Sequence, residues 1–228
     1  MFPWSKTNLL RKALNVYAGD HVLKKVLSDG EASLQPNARG IELTILFLDV
    51  LGFDAQTEGL NAVELCESMT NYYNVVAKSV AHSGGELDTF VGRSASAWWG
   101  VNGELDHALR ACECARTLLG KAKDLNIKLK AVGHHEVRFK IGINTGYVAL
   151  GNFGSSDRLR FTVMGDEVTL ARSLCECAIS QYAFPILLSK NTNAQLIGKL
   201  KTELVDTVRV KGMEALMEIY GIASGPGI

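Results

Sequence analysis

The chain carries an apolar run, Ile45-Leu46-Phe47-Leu48, that is broken by one carboxylate, Asp49, and closed by Val50-Leu51-Gly52-Phe53. A short continuous apolar segment bounded by Glu42 and Gly52 reads as a buried strand. A charge inside such a strand is costly unless it is paired or binds a metal. Gly52 marks a sharp turn that leads toward a helix, and the N–H groups there are expected to face what Asp49 faces. An acidic strand end beside such a turn suits a metal-bound phosphate. The plain alternative is a strand whose last carboxylate is solvated or caps the next helix.

The elements that follow set the fold class. Asn61 with Glu64 forms a helix start, and Ala62, Leu65, Cys66, Met69, Tyr73 and Val76 mark one apolar face to about His82. Strands at 86–91 and 94–99 are joined tightly at Gly92-Arg93. Ala108, Ala111, Cys112, Ala115, Leu119 and Ala122 mark a second helix that ends near Leu125. Val137 to Asn144 is a strand, Tyr147 to Asn152 another, and Asp166 to Ile179 a third helix. Pro185-Ile186-Leu187-Leu188 and late strands at 203–210 and 215–221 complete the count. Strand, helix, two strands, helix, strand is the ferredoxin-like βαββαβ order. The expectation is an α+β domain with an antiparallel sheet and helices on one face.

Ahead of this core, Leu9, Leu10, Ala13, Leu14 and Tyr17 recur at helical spacing. Gly19 breaks the pattern, Asp20 is placed to cap a second helix with Leu23, Val26 and Leu27 on its apolar side, and Gly30 ends it. Such a helix pair fits docking on its own domain or on a partner. Residues 31–40, with Ser33, Pro36, Asn37 and Gly40, read as a linker. The expected organisation is a helical segment and linker over 1–40, a domain over 41–222 and a tail over 223–228.

Composition excludes some functions. Lys plus Arg and Asp plus Glu each number 24, so the formal net charge is zero. That balance argues against a broad nucleic-acid or anionic-membrane surface. No apolar run reaches roughly 18 residues, and Met1 to Lys6 lacks the apolar core of a signal peptide. A cytoplasmic chain without direct membrane insertion is expected, unless it is a piece of a longer receptor. The 5 cysteines have no framework spacing and suit reduced thiols. The two Cys-Glu-Cys triplets lie in helical segments, where residues two apart diverge, which disfavours a metal site.

The segment around Asp49 resembles the D-I-x-G-F stretch of class III nucleotidyl cyclases, the catalytic domains of adenylate and guanylate cyclases. Ser83-Gly84-Gly85-Glu86-Leu87-Asp88-Thr89-Phe90-Val91-Gly92 resembles that family's glycine-rich hairpin. Ile141-Gly142-Ile143-Asn144-Thr145-Gly146, Gly151-Asn152-Phe153-Gly154-Ser155, Phe161-Thr162-Val163-Met164-Gly165-Asp166-Glu167-Val168 and Val210-Lys211-Gly212 match its later landmarks in order. Each piece is weak alone; their succession from about Glu42 to Tyr220 carries the resemblance. A diguanylate-cyclase reading of Gly84-Gly85-Glu86 fails, because Leu87-Asp88-Thr89 does not continue that family's acidic turn.

What the resemblance implies is a site that joins a ribose 3′-oxygen to the α-phosphorus with two metal ions held by two aspartates. Asp49 matches one aspartate, and Arg93 stands at the other. A guanidinium cannot ligate a metal and stays protonated at any working pH. Leu51, Gly52 and Phe53 would sit at the nucleotide, and Lys211 matches a phosphate-contacting lysine. Of the base-reading positions, Thr89 replaces a lysine and Thr162 is kept. On the third helix Thr169 replaces an asparagine and Ser173 occupies the arginine position; Arg172, one residue early, is about 100° around the helix and should point elsewhere. Losing one preorganised donor typically slows a reaction by about 10²–10³.

The family builds its site between two domains, so a homodimer, or a heterodimer with a cyclase-type domain, is implied; the tandem Trp98-Trp99 is either an interface anchor or covered within the chain. The resulting expectation is a catalytically impaired pseudo-cyclase in cyclic-nucleotide signalling that dimerises and binds at most a nucleoside triphosphate, with no metal cofactor. The alternatives are an active cyclase with Mg²⁺ or Mn²⁺ in an atypical site and a purely structural interaction module. Arg93 is further expected to pair with Asp49, a fixed cation where the family holds a bound one.

Overall fold

The computed structural model describes residues 5–131, 136–209 and 216–222. The described residues of 1–41 with those of 148–165 form one compact unit, and those of 42–147 with those of 166–228 form another.

The larger unit contains the expected core. Its strands are most of β1 (Asn37–Leu51), β2 (Glu86–Val91), β3 (Ser94–Trp99), the first part of β4 (Arg138–Gly154), β6 (Ile186–Ser189), β7 (Thr202–Arg209) and β8 (Leu216–Ile222); β5 (Leu159–Met164) belongs to the smaller unit. The sheet order is β2-β3-β1-β4-β6-β8-β7, with β5 paired to β4 off this path. The pairings β1–β3, β2–β3, β6–β8 and β7–β8 are antiparallel, and β4–β6 is parallel. Helices α4 (Ala62–His82) and α5 (His107–Ala131) cover one face. Alternation along the strands decides which residues meet them. Leu46, Leu48 and Val50 of β1, Phe139, Ile141 and Ile143 of β4, and Ile186 and Leu188 of β6 join Tyr72, Val76, Val80, Ala111 and Leu118 in one core.

The out-of-phase residues face a further helix. Helix α6 (Asp166–Cys177) buries Leu170 and Leu174 against Leu187 and Ile219. Gly142 permits this close packing: a Cβ there would lie 2.2 Å from the Cys175 amide nitrogen and 2.3 Å from the Ala171 carbonyl. Helices on both faces thus add a layer to the expected one-sided core. The start of α4 is capped as expected, with Asn61 accepting from Val63 and Glu64 while Glu64 returns a bond to the Asn61 amide.

The smaller unit holds α1 (Lys6–Ala18), α2 (Asp20–Asp29), a 3-10 turn (Gly30–Leu34), the start of β1, the end of β4 and β5. Gly19 breaks the helices as expected, but it is itself the N-cap of α2, and Asp20 is a first-turn residue without a capping bond. Little of the expected linker remains, because the 3-10 turn and β1 occupy most of 31–40. Asn152 anchors the turn by donating to the carbonyls of Ser33 (2.8 Å) and Gln35 (3.1 Å).

Other departures are local. One continuous strand replaces the two expected over 137–152; β5 and α7 (Lys190–Leu196) were not expected, and α3 (Phe53–Thr57) is a short helix directly after Gly52. Trp98 and Trp99 are both buried within the chain. Trp99 enters the α4–α5 core and donates to Ser83, whereas Trp98 is absent from that core. The tandem therefore offers no exposed area to a partner, which corrects its reading as an interface anchor. Among the described residues no helix is long and apolar enough to cross a membrane.

Candidate active site

Asp49 lies near the end of β1, three residues before Gly52, whose positive φ (84°) turns the chain into α3. A Cβ at position 52 would lie 2.5 Å from the Glu136 carbonyl oxygen, so the turn requires glycine twice over. Phe53 does not project outward from this turn; its ring packs on the core, 6.2 Å from that of Tyr72.

The Asp49 carboxylate is only 16% exposed and each of its oxygens is engaged. Oδ1 accepts from Arg93 Nε (3.2 Å) and from Ser94 Oγ (3.1 Å). Oδ2 faces the Lys140 ammonium at 3.4 Å. Arg93 also donates to Asp54 on α3. Two carboxylates and two cations thus close on one another without net charge. The bond to Asp54, followed by the charge of Asp49, raises Arg93 above the usual guanidinium range. The pairing of Arg93 with Asp49 expected from the sequence is present.

Main-chain contacts fix where Arg93 sits. The Tyr72 and Tyr73 hydroxyls on α4 donate to the carbonyls of Arg93 and Gly92, each at 2.9 Å. Burial, with Asp49 nearby, pushes the Tyr72 phenol far up, so it remains a donor at any working pH. Tyr73 also stacks on Phe90 of β2, with centroids 4.0 Å apart.

A cleft of about 130 Å³ opens beside Asp49. Thr89, Ser94 and Ser96 line it from the hairpin, Lys140 from β4, and Arg172, Cys175 and Glu176 from α6. Arg172 lies over the Phe47 ring, 4.8 Å from its centroid. The expectation that Arg172 points elsewhere is refined: it leaves the direction of position 173 but turns into the cleft that holds Asp49. Thr169 is exposed and Ser173 half-buried, and neither lines this cleft. Burial pushes the Cys175 thiol up to about 12, so it is no nucleophile. Thr162 is buried on β5 in the smaller unit, opposite Gly151 of β4. Lys211 falls outside the described residues.

These donors do not fit a pair of divalent ions. A metal at Asp49 would have to displace two cations, and a guanidinium and an ammonium cannot act as ligands. Among the described residues no group of three or more His, Cys, Asp or Glu side chains is placed to hold a metal.

A family model described as the adenylate and guanylate cyclase catalytic domain matches residues 37–224. The chain belongs to that family. Adenylate cyclase 1 of Rhizobium meliloti (strain 1021) is 30% identical to this cyclase-family chain over 182 residues, covering 79% of the chain and 27% of the relative. The adenylate cyclase of Anabaena cylindrica is 29% identical over 184 residues, covering 79% and 36%. The cyclase domain thus spans only about a quarter to a third of the length of these two relatives. Among solved structures, the adenylyl cyclase CyaB from P. aeruginosa superposes with a TM-score of 0.76 at 28% identity, covering 83% of this chain and 97% of that one.

Sequence reasoning missed Lys140 and Asp54. Lys140 was legible in principle: Val137, Phe139, Ile141 and Ile143 take the core phase of β4, which leaves Lys140 on the opposite face. Asp54 follows a turn whose helix is only five residues long, too short for a periodic signal.

Proposed function

We propose that this adenylate/guanylate cyclase-like domain is a catalytically impaired member, a pseudo-cyclase of cytoplasmic cyclic-nucleotide signalling that works as a pair. The observation that carries the reading is the Arg93–Asp49–Lys140 cluster: protein cations occupy both oxygens of the carboxylate that would hold metal. Arg93 holds charge there, but it cannot lower the pKa of a 3′-hydroxyl as a bound divalent ion does. Thr169 and Ser173 supply neither of the donors implied at their positions. The domain over 41–222 would carry this role, and the helical segment over 1–40 would connect it to its input. Thr89, Thr162 and Lys211 are the residues through which a nucleoside triphosphate would be held, in a pair formed with a second copy or with a cyclase-type partner.

The test is incubation of the pure chain with ATP, GTP, CTP and UTP in Mn²⁺, with cyclic products read by mass spectrometry. No product above an Asp49→Ala control is expected. Metal-dependent product well above that control would establish instead an active cyclase with an atypical site. Arg93→Asp is expected to gain Mn²⁺ binding without full activity, because the α6 donors are still missing. Calorimetry with the same nucleotides, together with sedimentation, distinguishes a nucleotide-binding pair from an interaction module that binds none.

A further inference from the structure

The smaller unit holds a second cavity, of about 360 Å³, at the lower end of the roughly 300–1,000 Å³ usual for small-molecule pockets. His21 and Lys25 line it from α2, Arg39 from the start of β1, and Phe161 from β5, with Gly151 on β4. His21 and Lys25 are four residues apart and so share one helix face. Phe161 and Thr162 are consecutive on a strand and so face opposite ways; this cavity is on the Phe161 side.

The cavity concentrates positive charge. Burial first, then Lys25, Arg39 and Lys24, hold the His21 imidazole below its ordinary range, with Asp20 opposing. Those cations therefore act on the space that His21 occupies. The His21 ring lies against Phe161, with centroids 4.6 Å apart, which fixes its orientation. Lys25 is also paired along the helix with Asp29 at 2.9 Å, a carboxylate with which an anion in the cavity would compete.

We propose that this cavity binds a small phosphate-bearing anion between His21, Lys25 and Arg39. A phosphate offers three acceptor oxygens and close to two negative charges at neutral pH. An imidazole N–H, an ammonium and a guanidinium fork can each donate to its charged oxygens, in charge-assisted bonds. His21 and Lys25 precede the family match at residues 37–224, whereas Arg39, Gly151 and Phe161 lie within it. The site therefore combines the preceding helical segment with the cyclase domain, and an anion there would clamp α2 to the β4–β5 hairpin. It holds whether or not the chain turns over a nucleotide.

Calorimetric titration of the full chain at pH 7 and low salt, with inorganic phosphate, pyrophosphate and 5′-AMP as separate probes, tests this. Saturable one-site binding of at least one probe is expected, and the bound anion should raise the His21 pKa measured by NMR. Equal affinity for phosphate and 5′-AMP identifies an inorganic anion as the natural ligand; tighter 5′-AMP binding identifies a phosphate ester. Lys25→Glu and Arg39→Glu should each weaken binding by about tenfold or more. Asp29→Asn, which releases Lys25 from its carboxylate, should tighten it, a gain that no misfolded variant can imitate. Absence of saturation for all three probes up to about 10 mM, weaker than any affinity of practical use, would overturn the proposal. Affinities unchanged in all three variants would overturn it equally, by placing the anion elsewhere.

Discussion

Replacing Asp49 with asparagine keeps the shape of the side chain and removes its charge from between Arg93 and Lys140. Lys140 is the sensitive partner, because its side chain is only 12% exposed and its ammonium lies 3.4 Å from Asp49. At an effective dielectric of 20 that separation corresponds to an attraction of about 5 kcal/mol before desolvation. Arg93 is 39% exposed and keeps Asp54, so solvent screening limits its loss to about 1 kcal/mol or less. Removing one partner from a mostly buried pair usually costs about 3–5 kcal/mol, because the remaining charge stays desolvated. The low end applies, since a cleft adjoins the group, and Asp49→Asn should destabilise the fold by about 3 kcal/mol. In a domain of this size that lowers Tm by roughly 6–12 °C. Adding Lys140→Met removes the stranded ammonium, so the double variant should recover at least half of the loss, a coupling of at least about 1.5 kcal/mol. Urea unfolding of the four members of the cycle, followed by circular dichroism, measures this. An Asp49→Asn variant within roughly 0.5 kcal/mol of the parent, or strictly additive single effects, would refute the electrostatic account.

Tyr72→Phe should cost about 1 kcal/mol through the lost bond to the Arg93 carbonyl, read as a lower urea midpoint at unchanged slope. Gly142→Ala should cost about 3 kcal/mol, since the new methyl meets main-chain atoms of α6 that cannot rotate away; soluble yield and Tm report it. His107 is held below its ordinary 6.5 chiefly by burial, and its Nδ1 lies 2.7 Å from Thr44 Oγ1. The neutral ring is the native form, so its contribution is present above about pH 6.5 and is lost as pH falls through the lower folded value. The pH slope of stability below about 6.5 should therefore flatten in His107→Gln. Cys66 is exposed, whereas Cys112 and Cys114 are buried with their thiols pushed up; thiol labelling without denaturant should modify Cys66 well before either.

The sequence was most legible where one pattern had one physical meaning. The capping pair Asn61 and Glu64, the tight hairpin at Gly92-Arg93 and the reversed charge at position 93 each led to the structure found. Legibility failed where a pattern was shared between two outcomes. Gly146 and the polar residues of 144–147 read as a break between two strands, yet β4 runs through them: Asn144 Nδ2 donates to the Glu167 carbonyl, and the Thr145 hydroxyl pairs with those of Thr44 and Thr192. Trp98 and Trp99 fitted an interface anchor and a buried core alike, because large aromatics serve both, and only the packing distinguishes them. Lys140 reaches Asp49 from β4, and Arg172 lines the same cleft from α6; both are distant in sequence, and no local spacing reports such a meeting.

The tyrosine hydroxyls of α4 bear on how such a site changes over generations. They grip carbonyl oxygens at positions 92 and 93, which every amino acid supplies alike. The hairpin keeps its place whatever side chain stands at 93, so selection can exchange an acid for a base there without unfolding the domain. The same indifference holds for the opposite exchange: an aspartate at 93 would meet a turn still held in position by Tyr72 and Tyr73.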